Sequence, residues 1–420
     1  MKLTLRQIRK IILGLALVVL VGGLGYRLGE QRVSLRFYQS APFVKINRDL
    51  PVDKQGQVDF ALFWQVWDRL QASYLDKSEL DPQKMVYGAI SGMVAAAGDP
   101  YTYFLPPKEN NESKARLRGD FEGVGIEIGY DKNGQITVIS PLSGTPAESA
   151  GIKAGDLIVK ITDERTKVDK ETTGMTLQEA VDLIRGPKGT LVKLTIARKG
   201  VEKPFEVSLK RDTIIVKSVE LKFETYHGKK IAILKLSQFG ERTYNEWQTA
   251  VNEIKKQKAS GVILDLRNNP GGFLQGAVYI GSEFIKSGVL VWQDQGIAGR
   301  ESFSASGQGH LLSEPLVVLI NKGSASASEI VAGALQEKGR AKLVGEQSFG
   351  KGTVQEAQDL PNGAGLHVTV ARWLLPSGKS IDKEGVKPDF EIKVEETNSA
   401  SETQNVSDQQ LQKALDLLAP

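Results

Sequence analysis

Residues 321–330 read Asn-Lys-Gly-Ser-Ala-Ser-Ala-Ser-Glu-Ile. They follow the apolar run Leu316–Ile320, which predicts a buried strand, and lead into a helical pattern over Ala325–Gln336. A serine at a strand-to-helix junction is exposed. The free N–H groups of the helix start can stabilise the oxyanion formed in acyl transfer. The plainer reading is a serine-rich helix cap.

Lys351 stands between Gly350 and Gly352, after the strand-like Lys342–Gly345. A lysine acts as a base only if its pKa falls from about 10.4 toward neutrality, which burial in an apolar pocket brings about. The flanking glycines permit close approach of the backbone. Gln355, four residues on, is placed to hydrogen-bond the amine and fix its direction. A rival reading is a phosphate loop, because Gly345 to Lys351 matches the start of G-x-x-x-x-G-K. That loop needs Ser or Thr next, and the residue is Gly352. Val354, Glu356 and Pro361 then read as strand and turn rather than helix. A third element is Asp265-Leu266-Arg267-Asn268-Asn269-Pro270-Gly271-Gly272-Phe273. Two glycines after a strand can turn an N–H toward a reacting carbonyl, or make an ordinary turn.

The elements that must position these residues alternate. Ile231–Leu236, Gly261–Leu266, Leu316–Ile320 and Lys342–Gly345 predict strands; Tyr244–Lys256, Gly276–Ser287 and Ala325–Gln336 predict helices. This implies an α/β core with a largely parallel sheet. Upstream lies a different unit. Gly123-Val124-Gly125-Ile126 reads as a glycine-bearing loop entering a strand, and Ile136–Ile139 is another strand. Thr145 and Pro146 start a short helix. Leu157–Ile161, Leu191–Ala197 and Phe205–Leu209 are strands, and Thr176 caps a helix through Ile184. This order of loop, short helix and second helix resembles a PDZ domain. Such domains take an extended peptide as an added strand and hold its terminal carboxylate with loop amides. Arg185, at the end of the second helix, is a candidate sensor of the peptide's charge or a solvated surface arginine.

Residues 58–97 predict helices. Phe60, Phe63, Trp64, Trp67 and Leu70 fall on one face, which serves core packing or a subunit contact. Asp81-Pro82 starts a second helix that stops near Gly98-Asp99-Pro100. Leu411, Leu415 and Leu418 predict a last short helix, placed to pair subunits, after a polar tail over 395–409.

Composition narrows the chemistry. There is no cysteine, which excludes a thiol nucleophile, a thiolate metal site and disulfides. The three histidines are His227, His310 and His367; none lies in a His-Glu-x-x-His run, and a histidine triad would have to draw on them. Net charge is +4, without a basic cluster interleaved with aromatics, which argues against nucleic acid. At the N-terminus, Lys2, Arg6, Arg9 and Lys10 precede the uncharged run Ile11–Tyr26. As a helix it spans about 24 Å against a hydrocarbon core of about 30 Å. No A-x-A cleavage site follows. An uncleaved single-pass anchor is expected over a cleaved signal peptide or a buried helix, with the N-terminus cytoplasmic and the body on the extracytoplasmic side. Arg27, Arg32 and Arg36 weigh against that orientation.

Gly-Ser-Ala-Ser-Ala-Ser-Glu together with Phe-Gly-Lys-Gly-Thr-Val-Gln resembles the motifs of the carboxyl-terminal processing (tail-specific) proteases. The likeness extends over nearly the whole chain. It implies that Ser326 is the nucleophile, Lys351 the general base and Gln355 its orienting partner. The oxyanion hole would be the amide of Ala327 and one from the glycine turn, Gly272 with Gly271 next in line. It implies a serine endopeptidase that binds protein C-terminal tails through Gly123, Val124, Gly125 and Ile126 and cleaves through an acyl-enzyme, with no metal or organic cofactor. A catalytically silent PDZ scaffold is the alternative, and its hallmark would be loss of Ser326 or Lys351. The expected fold is an α+β multidomain chain: membrane anchor or signal 1–26, stalk 27–57, helical region 58–112, PDZ domain 113–212, protease core 213–395, and tail with short helix 396–420. The expected partners are protein substrates, the membrane and a second copy in a homodimer.

Overall fold

The computed structural model describes residues 59–393 and 408–420. The expected anchor over Ile11–Tyr26, the stalk and most of the polar tail lie outside the described residues. Among those described, no helix is long and apolar enough to cross a membrane. The chain divides into two compact units, one ending at Val86 and one running from Tyr87 to Pro420.

In the first unit, helix α1 (Ala61–Ser73) carries the aromatic stripe. The rings of Phe63 and Trp64 meet edge to face at 4.8 Å, and Trp67 is buried while Phe60 and Leu70 stay exposed. The stripe is therefore only partly a core face. Helix α2 (Pro82–Ala95) starts as its sequence predicts: Asp81 Oδ1 accepts the N–H of Gln83 at 2.8 Å, with Pro82 at the first position.

In the second unit, a short strand β1 (Tyr103–Leu105) and helix α3 (Pro107–Arg118) lead into a β-rich module. Strand β2 (Asp120–Gly123) enters it. Strands β3 (Ile126–Tyr130) and β4 (Ile136–Pro141), helix α4 (Pro146–Ser149), strands β5 (Leu157–Asp163) and β6 (Val168–Glu171), helix α5 (Leu177–Ile184) and strands β7 (Leu191–Ala197) and β8 (Phe205–Lys210) follow. Strand β9 (Asp212–Ile215) pairs antiparallel with β2, so the module's entry and exit are tied together. The sheet order is β3-β4-β5-β7-β8, with β6 on β5. Its core is Val124, Ile136, Val138, Ile158, Ile161, Leu194 and neighbours. Thr176 caps α5 as predicted, with Glu179 completing a capping box. Thr145 starts α4, but its hydroxyl donates to the carbonyls of Leu142 and Gly125 instead of capping. Gly125, at φ +78°, lies so close that a Cβ there would collide with Thr145.

The rest is an α/β body. Strands β10 (Val219–Tyr226) and β11 (Lys229–Leu236) form a hairpin. Then come helix α6 (Thr243–Lys256), strand β12 (Gly261–Asp265), helix α7 (Leu274–Phe284), strands β13 (Val289–Asp294), β14 (Arg300–Ser304) and β15 (Leu316–Ile320), helix α8 (Ala327–Glu337) and strands β16 (Lys342–Gly345), β17 (Thr353–Asp359), β18 (Gly365–Leu374) and β19 (Phe390–Glu391). Helix α9 (Gln409–Leu418) ends the chain. The main sheet runs β10-β11-β12-β15-β16-β19, parallel from β11 onward. Its central strands read as unbroken apolar runs because both faces are covered. Ala232, Leu234, Val262, Leu264, Val318 and Leu343 pack with residues of α6, α7 and α8. The alternate residues Ile231, Ile263, Val317, Leu319 and Val344 pack with Ala414, Leu415 and Leu418 of α9. A second sheet runs β1-β18-β13-β14, with β17 on β18.

Two sequence expectations change. Helix α7 spans 274–284 rather than 276–287, because the backbone turns extended at Ile285 ahead of Gly288. The leucines of α9 are spent on this chain's own sheet rather than left for a second subunit. Leu415 is 2% exposed, and large-to-small changes at such sites cost about 2–5 kcal/mol. Leu415→Ala is expected to lower stability by that amount in denaturant unfolding; a change under about 0.5 kcal/mol would mean α9 is not part of the folded core.

Candidate active site

Three loops leave the C-terminal ends of three adjacent parallel strands: 266–273 after β12, 321–326 after β15 and 346–352 after β16. Crevices at that edge of an open α/β sheet are where such folds place their chemistry. The three motifs, well separated in sequence, meet because β12, β15 and β16 are neighbours.

The serines of the 321–330 segment are not equivalent. Ser324 is fully buried; its hydroxyl donates to the Leu266 carbonyl at 2.8 Å and accepts the Asn321 N–H. Ser328 is also buried and donates to the Asn269 carbonyl at 2.8 Å. Ser326 alone is partly exposed, and its backbone lies at φ 54°, ψ −115° just before α8. A non-glycine residue in this region is strained, as a nucleophile on a sharp strand-to-helix turn is. Ser326 is also the N-cap of α8, with Glu329 accepting its N–H, whereas Ser324 and Ser328 spend their hydroxyls on backbone carbonyls and fasten the loop.

Glu329 joins two of the loops. Its Oε2 accepts the backbone N–H of Ser326 at 2.7 Å and of Lys351 at 3.0 Å. Its Oε1 accepts the Ser348 hydroxyl at 2.6 Å and the Gly350 N–H at 2.7 Å. The residue is fully buried. Burial lifts its carboxyl above the usual range, and the four donors pull it back. Hydrogen bonds to a charged group contribute about 1.5–3 kcal/mol each, enough to offset several kcal/mol of desolvation. Asn269 fastens the third loop in the same way. Its side chain donates to the Leu236 carbonyl and accepts the Gly271 N–H, while its carbonyl accepts from Ala325 and Ser328.

The glycine turn packs directly on the serine. A Cβ on Gly271, at φ +101°, would lie 2.9 Å from Ser326 Cβ and 3.0 Å from the Ala327 nitrogen. The Gly271 N–H is taken by Asn269. Among the described residues, the N–H groups of Gly272 and Ala327 have no hydrogen-bond acceptor. Of the two candidate glycines, Gly272 thus keeps a free donor and Gly271 supplies the close approach.

Lys351 rises between Gly350 and Gly352. A Cβ on either would strike the 382–385 turn, at 2.9 Å from the Gly385 nitrogen and 2.6 Å from Asp382 Cβ. Burial pulls the Lys351 pKa below its ordinary value; the Asp99 and Glu329 carboxylates pull the other way. Nζ sits 5.0 Å from the centroid of the Tyr101 ring. The Gln355 side chain, on β17, donates to the hydroxyls of Thr353 at 2.8 Å and Thr369 at 3.2 Å. Among the described residues, no hydrogen bond joins Lys351 to Ser326 or to Gln355. No histidine bonds Ser326 either: His227 meets the Ala419 carbonyl, His310 lies by Glu283, and His367 stacks on Tyr103.

The peptide-site candidates form one corner of the β-rich module. Gly123 pairs with Asp212, Val124 is buried, and Ile126 starts β3. The Arg185 guanidinium lies 4.6 Å above the Phe121 ring. Both residues line a cleft of about 870 Å³ that reaches Ser237 and Gln238 of the α/β body. Gln238 precedes Phe239, which bridges to Gly272.

Sequence reasoning misses Glu329, Asn269, Ser348, Asp99 and Tyr101. Glu329 has a signal: Ser-x-x-Glu ahead of an apolar run is a helix-start pattern. Asp99 reads in sequence only as part of a helix stop.

Comparison with known proteins identifies the family. Residues 230–392 match the model of peptidase family S41, and residues 137–198 that of the PDZ domain. The carboxyl-terminal-processing protease of Synechocystis sp. is 37% identical, over 96% of this chain and 92% of its own length. That of Picosynechococcus sp. is 40% identical, over 87% and 86%. A crystal structure of a Bacteroides fragilis protein assigned to the S41 proteases, 16% identical, superposes over 85% of this chain and 92% of its own with a TM-score of 0.53, a likeness of fold. The chain belongs to the carboxyl-terminal processing proteases of peptidase family S41 and is a serine peptidase with a PDZ domain.

Proposed function

We propose that this enzyme takes proteins by their C-terminal tails through the PDZ domain and cleaves them with a Ser326–Lys351 dyad. One observation carries the mechanism. A strained, part-exposed serine and a lysine whose charge burial disfavours stand on loops fastened to one carboxylate, Glu329. Neutral Lys351 takes the Ser326 proton as Oγ attacks the scissile carbonyl carbon. The N–H groups of Ala327 and Gly272 receive the oxyanion. The C–N bond then breaks, the lysine ammonium returns its proton to the leaving amine, and an acyl-enzyme ester remains. Water, activated by the same lysine, hydrolyses it. In this reading Gln355 leaves its threonines to orient the amine.

The PDZ half of the reading is supported by the Gly123–Ile126 loop, where Gly125 cannot carry a side chain, and by Arg185 at the cleft that leads toward Gln238. A tail held at the loop would extend along that cleft to the glycine turn. The basic start and apolar run of residues 2–26 support a membrane tether with the catalytic body on the extracytoplasmic side. Pairing of two copies belongs to the same reading, with the exposed apolar residues of α1 as its contact.

Three outcomes follow. Ser326→Ala and Lys351→Ala are each expected to cut turnover of a protein with an apolar C-terminal tail by at least about 10⁴-fold with the melting temperature retained; full activity in Lys351→Ala would end the dyad. Because the base works unprotonated and its pKa is lowered, kcat/KM should rise with pH through a limb below the ordinary lysine range, and that limb should persist in His227→Gln, His310→Gln and His367→Gln. Amidating the substrate's C-terminal carboxylate should raise KM; equal KM for free and amidated tails would remove the PDZ carboxylate site from the reading.

A further inference from the structure

The catalytic lysine is met by residues from outside the α/β body. The turn 99–102 lies between α2 and β1, and β1 adds to the edge of the second sheet by pairing Tyr103 with His367 and Leu105 with Gly365 on β18. That pairing brings the turn to β17 and β18, the hairpin beside Lys351. The turn is internally braced. Asp99 accepts the Tyr101 N–H at 3.1 Å and the Thr102 hydroxyl at 2.6 Å. The Thr102 hydroxyl in turn accepts the Thr369 N–H at 3.0 Å. Thr369 is also the residue whose hydroxyl holds Gln355.

Lys351 Nζ rests over the Tyr101 ring face, within the range at which a ring attracts an ammonium. Burial works against the Asp99 charge, but the Thr102 and Thr369 hydroxyls and the Tyr101 amide hold its pKa below the usual carboxylate value. Asp99 is thus an anion at neutral pH, and it favours a charged lysine. The other titratable groups facing this spot are Glu329, whose Oε2 holds the Lys351 N–H, Asp382 on the 382–385 turn, and His367, whose pKa burial and the Lys351 charge both lower. Among the described residues neither these groups nor Asp99 forms a hydrogen bond or a close ion pair with the amine, whose contact is the Tyr101 ring.

We propose that the Asp99–Thr102 turn is a second seat for the lysine, in which Tyr101 and Asp99 bind the ammonium and hold it off Ser326. Both are positioning residues: they set the fraction of enzyme whose base is free and unprotonated, and through Thr369 the same turn occupies Gln355. The two seats differ in the charge they prefer. The Tyr101–Asp99 seat keeps the proton on the amine, and the seat beside Ser326 requires it gone. This inference rests on the dyad reading.

The test is the pH dependence of kcat/KM on a protein with an apolar tail, for wild type, Asp99→Asn, Tyr101→Leu and Tyr101→Phe. The Asp99→Asn change keeps a side-chain oxygen to accept the Tyr101 N–H but removes the charge. The acid limb is expected to move to lower pH in Asp99→Asn and Tyr101→Leu, raising the rate several-fold on the acid side of the wild-type midpoint. Tyr101→Phe, which keeps the ring face, is expected to retain the wild-type limb. An unmoved limb, or a uniform loss at every pH, in both Asp99→Asn and Tyr101→Leu would overturn the second seat. If Asp99→Asn does not fold, Tyr101→Leu against Tyr101→Phe decides alone. Lys351→Ala run alongside separates the two claims: activity there sinks the dyad, whereas an inactive Lys351→Ala with an unmoved limb sinks only this inference.

Discussion

A carboxylate buried with four donors pointed at it organises this active site. Glu329 lies on the first turn of α8, where the helix start already favours negative charge. One of its oxygens is shared by the backbone N–H groups of Ser326 and Lys351, and the other holds Ser348 and Gly350 of the loop that carries Lys351. The arrangement is costly in isolation and stable only complete, because losing one partner leaves a charge in the interior. It also explains how Ser326 keeps a strained backbone: its N–H is held by the same residue whose own N–H donates back to the Ser326 carbonyl.

Around that carboxylate the scaffold acts as a set of fasteners. Ser324, Ser328 and Asn269 are fully buried and spend their polar groups on backbone partners. They tie the serine loop to the glycine turn, so that Gly271 packs beside Ser326 with no room for a side chain and, among the described residues, the Gly272 amide has no acceptor. The parallel strands β12, β15 and β16 supply the rigid base, and the two-sided packing of their alternating residues against α6, α7, α8 and α9 holds them in register. Precision at the site thus comes from elements whose own sequences contain no chemistry.

Lys351 is placed under opposing influences. Burial strips hydration from its ammonium and favours the base, while an aromatic face and a carboxylate favour the acid. These opposing groups come from different parts of the chain: the pocket from the body, Tyr101 and Asp99 from the segment before β1. A balance of this kind is sensitive to small displacements, because a lysine has a long flexible stem and a compact charge.

Much of this was legible in sequence. The apolar runs and glycine-bearing motifs identified the strands β11, β12, β15 and β16, the PDZ order of elements and the Ser and Lys segments, because local patterning and turn chemistry are written residue by residue. Absence of cysteine narrowed the nucleophile before any fold was known. What tertiary structure alone decided was which polar residues became structural. Three serines two residues apart look alike in sequence; burial of Ser324 and Ser328 and a left-handed backbone at Ser326 separate them. Glu329 looks like a helix-start residue until the lysine loop closes over it. Of the second sheet only β17 was read as strand, at Val354 and Glu356; β1, β13, β14 and β18 were not identified from the sequence. Neither was the arrival of Asp99 and Tyr101, which depends on β1 pairing with a strand 264 residues further along the chain. The sequence determined the chemistry available to Ser326 and Lys351; the pairing of distant strands and one shared carboxylate decided where each side chain stands, since proximity across such separations is a property of packing and not of local pattern.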